Sequence, residues 1–180
     1  MSDKYENCIL KVSSEKIISG YINSNMWRFG LGKMSISDSE YSETSVNFGL
    51  QYFANGLNEN GFGIGGSSSF ASKDVTYSSG FSTYSYSLEE RTSELELMYN
   101  INIDNGFSIT PAYITGSVTQ SIASNNLTHM ENSYSLSGFG IYLNFPSIVK
   151  SGQGLSLFVK KLSVEEVNKD ITLAGLQFVW

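Results

Sequence analysis

Three side chains in the second half of the chain, spaced two residues apart, have the types that an acyl-transfer site needs. His129, Glu131 and Ser133 would share one face of a β-strand and would supply a general base, a residue that orients it and a nucleophile. Metal chemistry has less support, because His129 is the only histidine and Cys8 is the only cysteine. A zinc site of the cysteine and histidine type therefore lacks ligands. We expect no metal site, no cofactor and no role for the unpaired Cys8.

A second set of candidate residues consists of charged and polar side chains that alternate with large apolar ones. In the interior of a narrow barrel such charges must pair with one another or contact water. In the structural interpretation, these side chains form a network that fills the interior. In the functional alternative, they line a gated ion path. The residues that alternation assigns to this network are Arg28, Glu43, Asn47, Gln51, Glu94, Glu96, Lys160 and Gln177.

Composition restricts the fold that must position these residues. Charged residues make up 16% of the 180 residues, below the roughly 25% of a typical soluble domain. Aromatic residues make up 13%, which is too many rings for a disordered chain. The net charge of −6 and the absence of a Lys/Arg cluster argue against nucleic acid as a partner. An all-β chain, poor in charge, remains.

Apolar and polar residues alternate with a period of two from Trp27 to the end of the chain. Between Glu43 and Phe53, for example, Val46, Phe48 and Leu50 share one face, and small polar residues share the other. Turn signals such as Asn55-Gly56 and Asp104-Asn105-Gly106 separate the segments. Longer polar stretches at about 72–90, 121–131 and 163–170 are interpreted as loops. The sequence predicts an eight-stranded antiparallel up-and-down transmembrane β-barrel over residues 25–180.

Which face of this barrel points inward is a separate question. Eight strands enclose an interior that side chains just fill, so the small polar set fits inside and the large apolar set fits lipid. A soluble ligand-binding barrel, with the apolar face inward, is the alternative. Aromatic residues near strand ends are expected to anchor the barrel at the membrane interfaces. These anchors are Trp27, Tyr52, Tyr99, Tyr113 and Trp180.

The last strand carries a motif of its own. In Gly175-Leu176-Gln177-Phe178-Val179-Trp180, the residues Gly175, Phe178 and Trp180 resemble the C-terminal signal read by the outer-membrane barrel assembly machinery. The barrel portion resembles the small eight-stranded outer-membrane proteins of the OmpX and OmpA transmembrane-domain type. The segments that carry this resemblance are Ser45–Phe53, Phe107–Gly116 with Thr110-Pro111-Ala112-Tyr113, Tyr134–Phe145 and Ile171–Trp180.

The resemblance implies a Gram-negative outer membrane, with the chain exported and its signal peptide absent from this sequence. It implies outer-membrane lipid, lipopolysaccharide and the assembly machinery as partners, and a structural or adhesive role through extracellular loops. The stretch 72–91, rich in Tyr, Ser and Thr, is the candidate surface for a protein partner.

Lipid A-modifying enzymes of the outer membrane are the enzymatic alternative to this role. The deacylases among them use a His-x-Ser-Asn pattern, whereas His129 is followed by Met130-Glu131-Asn132. We therefore expect no enzyme, with His129 near the membrane surface.

Residues 1–24 fit neither period well. A periplasmic tail, a plug of the lumen and a short interfacial helix remain open for them.

Overall fold

The structure is a computed structural model that describes residues 25–37, 41–57, 59–79, 82–104, 107–124, 127–145 and 154–180. Residues 1–24, with Cys8 and the predicted tail, plug or helix, lie outside the described residues. So do Asn105 and Gly106 of one predicted turn. Within the described ranges, no helix is long and apolar enough to cross a membrane.

The described residues form one closed barrel of eight antiparallel strands, each paired with its neighbours in sequence, and β8 pairs with β1. The predicted eight-stranded up-and-down barrel is confirmed. The strands are β1 (Asn25–Ile36), β2 (Ser42–Phe53), β3 (Gly61–Ser79), β4 (Ser82–Asp104), β5 (Phe107–Ser124), β6 (Leu127–Phe145), β7 (Gly154–Val164) and β8 (Lys169–Val179), with a 3-10 turn at Glu165–Val167.

The register fixes the tilt of the strands. Paired residues followed once around the barrel from Trp27 lead back to β1 at Ser37, whose backbone N–H donates to Asp170. An offset of this size in eight strands requires them to tilt by roughly 35–45°. We call the end that carries Asn25 and Trp180 the terminal end. The opposite end, with the β1–β2, β3–β4, β5–β6 and β7–β8 connections, is the distal end.

Four consecutive strands extend beyond the others at the distal end. β3 to β6 have 18 to 23 residues, whereas the other four strands have 11 or 12. Pairing continues to Ser79–Ser82 and to Ser124–Leu127. We call these extensions, residues 72–79, 82–91, 117–124 and 127–135, the projecting sheet.

Interpreting these stretches as loops was therefore wrong. Their Thr, Tyr and Val residues favour strands even where both faces are polar. The third predicted loop, 163–170, is also mostly ordered, because it contains the 3-10 turn and the ends of β7 and β8.

The barrel is apolar outside, and the interior of its terminal part combines charged and polar side chains with buried apolar ones such as Phe53, Met98 and Phe158. Phe29, Leu50, Leu97 and Ile141 are among the outward residues, each at least 40% exposed. The inward residues at the same level include buried Arg28, Glu96 and Lys160. A soluble barrel has the reverse arrangement. We call the outward apolar surface the apolar belt; on β4 it spans Leu95 to Ile103.

The interior changes character toward the distal end. Met34, Val118, Leu136, Leu162 and Leu173, each at most 1% exposed, pack into an apolar cluster there. The charged layer lies between this cluster and the terminal end. The lumen is therefore filled in layers.

Candidate functional site

Four charged side chains meet in the interior of the barrel. Lys160 Nζ lies 2.6 Å from Glu94 Oε2 and 3.1 Å from Glu96 Oε1. Arg28 Nη2 lies 2.9 Å from Glu96 Oε2, without the alignment of a hydrogen bond, so this contact is chiefly electrostatic. All four side chains are fully buried. We call this group the ion cluster.

Hydroxyl groups also contact the two carboxylates. Ser67 Oγ lies 2.7 Å from Glu96 Oε1 and 3.1 Å from Glu94 Oε2, and it accepts a hydrogen bond from Lys160. Thr92 donates to Glu94 Oε1 over 2.6 Å. Two cations and two carboxylates cancel in formal charge, which is the condition under which charges tolerate burial.

Small residues and one aromatic ring make room for the Arg28 guanidinium. A Cβ at Gly49 or Gly65 would lie 3.1 or 3.4 Å from Arg28 Nη2. The Tyr142 ring also contacts the cluster, with its centroid 5.1 Å from Arg28 Cζ and 5.8 Å from Lys160 Nζ. These distances are within the range of a cation–π interaction. The cluster and its neighbours therefore bring together side chains and backbone of β1, β2, β3, β4, β6 and β7.

A turn closes the terminal end below this cluster. Asn100 Nδ2 donates to the carbonyls of Leu57 and Glu59 over 2.8 and 3.0 Å. Its side-chain oxygen accepts from Thr110, and Thr110 in turn accepts from Asn144. The β2–β3 turn is thereby held across the mouth of the barrel.

The structure places the other predicted lumen residues apart from the ion cluster. Asn47 donates to Ser69 over 2.7 Å, and Gln51 and Gln177 are buried in the interior. Glu43 lies near the distal end, partly exposed, with its carboxylate 3.6 Å from Lys73. It takes no part in the ion cluster.

Several interior polar residues were missing from the predicted set, above all Ser67, Thr92, Asn100 and Tyr142. Alternation from Glu94 and Glu96 would have included Thr92 and Asn100, because they share the same face of β4. Tyr142 was harder to predict as an interior residue, because the alternation around Gly138 and Gly140 left the inner face of β6 ambiguous.

The predicted interface aromatics all point outward and are 38–45% exposed. The Tyr99 ring packs edge-on against the Phe62 ring, and the ring centroids of Trp27 and Phe48 lie 5.5 Å apart. Tyr113 pairs with Leu97 and Phe139, farther from the terminal end than the other four.

The predicted assembly signal lies at the seam between β8 and β1. The backbones of Trp27 and Trp180 exchange two hydrogen bonds of 2.8 and 3.1 Å. Gly175 faces Gly32 so closely that an added Cβ would lie 2.5 Å from the Gly32 Cα. Phe178 and Trp180 are exposed on the outer surface. The three residues thus have structural roles in closing the barrel.

The candidate acyl-transfer residues lie on the distal part of β6. Glu131 and Ser133 are exposed, and the His129 side chain lies outside the described residues. Outward residues on one strand follow each other at roughly 7 Å, which is too far for a hydrogen-bonded base and nucleophile without other support. In the part of the chain that the structure describes, no group of three or more metal-ligating side chains occurs.

A buried carboxylate lies above the apolar belt, in the distal interior. Glu90 is 1% exposed and accepts a hydrogen bond of 2.6 Å from Gln120. Burial raises the pKa of Glu90 to about 7, although the Gln120 bond and the charge of Lys169 act in the opposite direction.

The projecting sheet has two edges of different character. On β6, the Glu166 carboxylate accepts the backbone N–H of Ser135, which covers the start of that edge and lowers the pKa of Glu166. On β3, pairing with β2 ends at Ala71, so the following residues pair only with β4. Residues 72–79 of β3 therefore pair with no strand on their other side within the described ranges.

Comparisons with solved structures find the same fold. Ail, the attachment invasion locus protein of Yersinia pestis, in complex with the heparin analogue sucrose octasulfate, has a TM-score of 0.61 at 10% identity, covering 87% of this chain and 97% of that one. Neisserial surface protein A has a TM-score of 0.66 at 8% identity, covering 87% and 96%.

No protein-family model and no curated protein matches the chain. The likeness in structure and the register together show a chain with the fold of the small eight-stranded outer-membrane β-barrels.

Proposed function

We propose that this protein is an outer-membrane β-barrel with a closed lumen, whose projecting sheet binds a partner at the cell surface. The apolar belt is the observation that carries the membrane location. Contiguous exposed apolar surface of this extent is unfavourable in water, and closure of the barrel satisfies the backbone in hydrocarbon. The termini then lie on the periplasmic side, and the distal end faces outward.

The filled interior favours a structural role over conduction. An ion moving through the barrel would have to displace the ion cluster and pass the distal apolar cluster as well as the β2–β3 turn. The first two layers consist of buried side chains, and the turn is held by hydrogen bonds from Asn100 to its backbone. The arrangement supports an anchor for extracellular structure.

The projecting sheet supports the surface role. Tyr77, Tyr84 and Tyr86 are exposed on it among many hydroxyl residues, a chemistry that suits protein recognition. The uncovered β3 edge offers backbone donors and acceptors to an added strand. We infer an extended segment of a partner protein, bound along this edge, as the interaction.

A sulfated polysaccharide is a less suitable partner. Ail binds a heparin analogue in its structure. At its surface, the described part of the projecting sheet carries Lys73 and Arg91 against Asp74, Glu89 and Glu131. A polyanion needs an excess of positive charge, which this sheet does not supply.

Shortening the β3–β4 hairpin tests the surface role. Ser72 pairs with Glu89, so joining them through Asn-Gly removes the uncovered edge while keeping the register. In a non-adherent Gram-negative host, we expect the full chain to confer attachment to cultured cells and the shortened chain to lose it. Both chains should keep a heat-dependent gel shift.

The matched control shortens the β5–β6 hairpin between Gln120 and Asn132, which also pair. This variant keeps the β3 edge and should retain attachment. Attachment that survives loss of the β3–β4 hairpin would contradict the proposal.

A further inference from the structure

The two faces of the projecting sheet carry different side chains. Ala71 and its partner Glu90 are buried in the lumen, and the β3–β4 register beyond them has no bulge, so alternation assigns the faces. We call the face that continues the lumen side the inner face. Within residues 74–78 and 83–87 the outer side chains are all Ser, Thr or Asp, whereas the inner ones are large: Val75, Tyr77, Tyr84 and Tyr86.

The open part of the β3 edge begins at Asp74. Glu43 lies 3.6 Å from the Lys73 ammonium, so the end of β2 still lies beside Lys73. From Asp74 to Ser79, β3 pairs with β4 alone within the described ranges. Tyr77 is 63% exposed even though it pairs with Tyr84. A strand added at this edge would bring a side chain next to Tyr77 on the side away from Tyr84.

Such a strand would continue both faces of the sheet, because side chains directly opposite each other on paired strands share a face. Aromatic and β-branched side chains are the favourable partners for Tyr77 and Val75 on the inner face. A basic side chain is the favourable partner for Asp74 on the outer face. Among the described residues Asp74 forms no salt bridge within 4.0 Å, and its partner on β4 is the neutral Ser87.

The direction of the added strand sets the order of these partners. Antiparallel pairing is slightly more stable per residue than parallel pairing. An antiparallel strand passes Tyr77 first, then Thr76, Val75 and Asp74.

We propose that the β3 edge selects a partner segment with the order aromatic, Ser or Thr, Val or Ile, Lys or Arg, which adds antiparallel to β3. The first and third side chains lie on the inner face beside Tyr77 and Val75. The fourth lies on the outer face beside Asp74. This inference rests on the proposed function, whose partner segment it specifies.

Binding of labelled peptides to the full chain in lipid nanodiscs tests the pattern, with fluorescence anisotropy as the measurement. The probe is Ser-Thr-Phe-Thr-Ile-Arg-Thr-Ser. The comparison peptide, Ser-Thr-Phe-Ile-Thr-Arg-Thr-Ser, has the same composition but places Ile on the outer face and Thr opposite Val75. We expect it to bind about fivefold more weakly, the factor that one strong cross-strand pair supplies.

A charge exchange tests the register. Asp74→Lys should weaken binding of the probe about fivefold and strengthen binding of a probe in which Glu replaces Arg. Ser87→Lys is the matched control, because Ser87 lies opposite Asp74 on the same face but one strand away from the edge. It should change the binding of either probe much less. Both variants should keep the heat-dependent gel shift of the folded barrel.

The possible outcomes separate this inference from the proposed function. Equal binding of the probe and the comparison peptide, or no binding of either at millimolar concentration, overturns the pattern. Equal binding of the probe in reversed sequence overturns the antiparallel direction. Probe binding that falls as the protein concentration rises would show that a second copy closes the edge, and would overturn the choice of a foreign segment. The attachment assay with the shortened β3–β4 hairpin uses no peptide, so it can contradict the surface role independently of these results.

Discussion

Lys160 connects the two carboxylates of the ion cluster. Its ammonium contacts both Glu94 and Glu96, whereas Arg28 contacts only Glu96. Removal of Lys160 therefore leaves Glu94 with Ser67 and Thr92 but no countercharge. A buried carboxylate without a countercharge is costly even when hydroxyl groups donate to it.

A pair of variants tests this charge balance. Lys160→Met should lower the free energy of unfolding by about 3–5 kcal/mol, the usual effect of breaking a buried ion pair from one side. Lys160→Met combined with Glu94→Gln should be less destabilising than Lys160→Met alone, because Arg28 and Glu96 then balance. Urea unfolding in vesicles measures both. A double variant that is less stable than the single one would contradict the assigned pairing.

Glu90 gives the protein a dependence on pH. Because its pKa is raised from 4.5 to about 7 in the folded barrel, the folded state holds this proton more tightly than the unfolded chain does. Stability should therefore fall as the pH rises from about 4.5 through 7 and level off above that. Glu90→Gln should remove this part of the slope in urea unfolding, whereas Glu131→Gln, at an exposed position, should keep it. An unchanged slope in Glu90→Gln would count against the burial argument.

At the scale of elements, alternation predicted the strands and their faces well where one face is strictly apolar. β2 is the clearest case, because Val46, Phe48 and Leu50 lie outward as their spacing required. The pattern failed at the outer part of the projecting sheet, for example at residues 72–78 and 83–87, where both faces contact solvent and no strictly apolar face marks the strand.

Contacts between distant segments were not predictable in the same way. The Asn100 side chain binds carbonyls of the β2–β3 turn, and no local pattern encodes that partner. The ion cluster was predicted as a set of inward charges, whereas its pairing depends on the register among β1, β3, β4 and β7.

The seam between β1 and β8 offers an element-scale prediction. Gly175→Ala would force a Cβ against the backbone of Leu31 and Gly32, so we expect the seam to close poorly. Gly66→Ala is the matched control, because its nearest neighbour would lie at an ordinary 3.5 Å. The folded fraction after refolding into detergent should fall for Gly175→Ala and stay near the parent level for Gly66→Ala. Equal yields would mean that β1 and β8 separate easily at this point.

At the scale of the whole molecule, each surface of the barrel has a distinct environment. The apolar belt suits contact with hydrocarbon. The ion cluster lies inside the barrel and is shielded from the hydrocarbon by the barrel wall, and the projecting sheet suits contact with water. If the belt faced water, large apolar residues would be exposed while charged residues are buried. The membrane location of the barrel is thus the central claim on which the surface role depends.

The most direct test of that claim is the mobility of the detergent-folded protein on cold SDS gels, with and without boiling, beside its solubility in plain buffer. We expect a heat-dependent shift between two bands and aggregation when detergent is absent. A protein that is folded and soluble in plain buffer, and whose mobility does not change on boiling, would contradict the account.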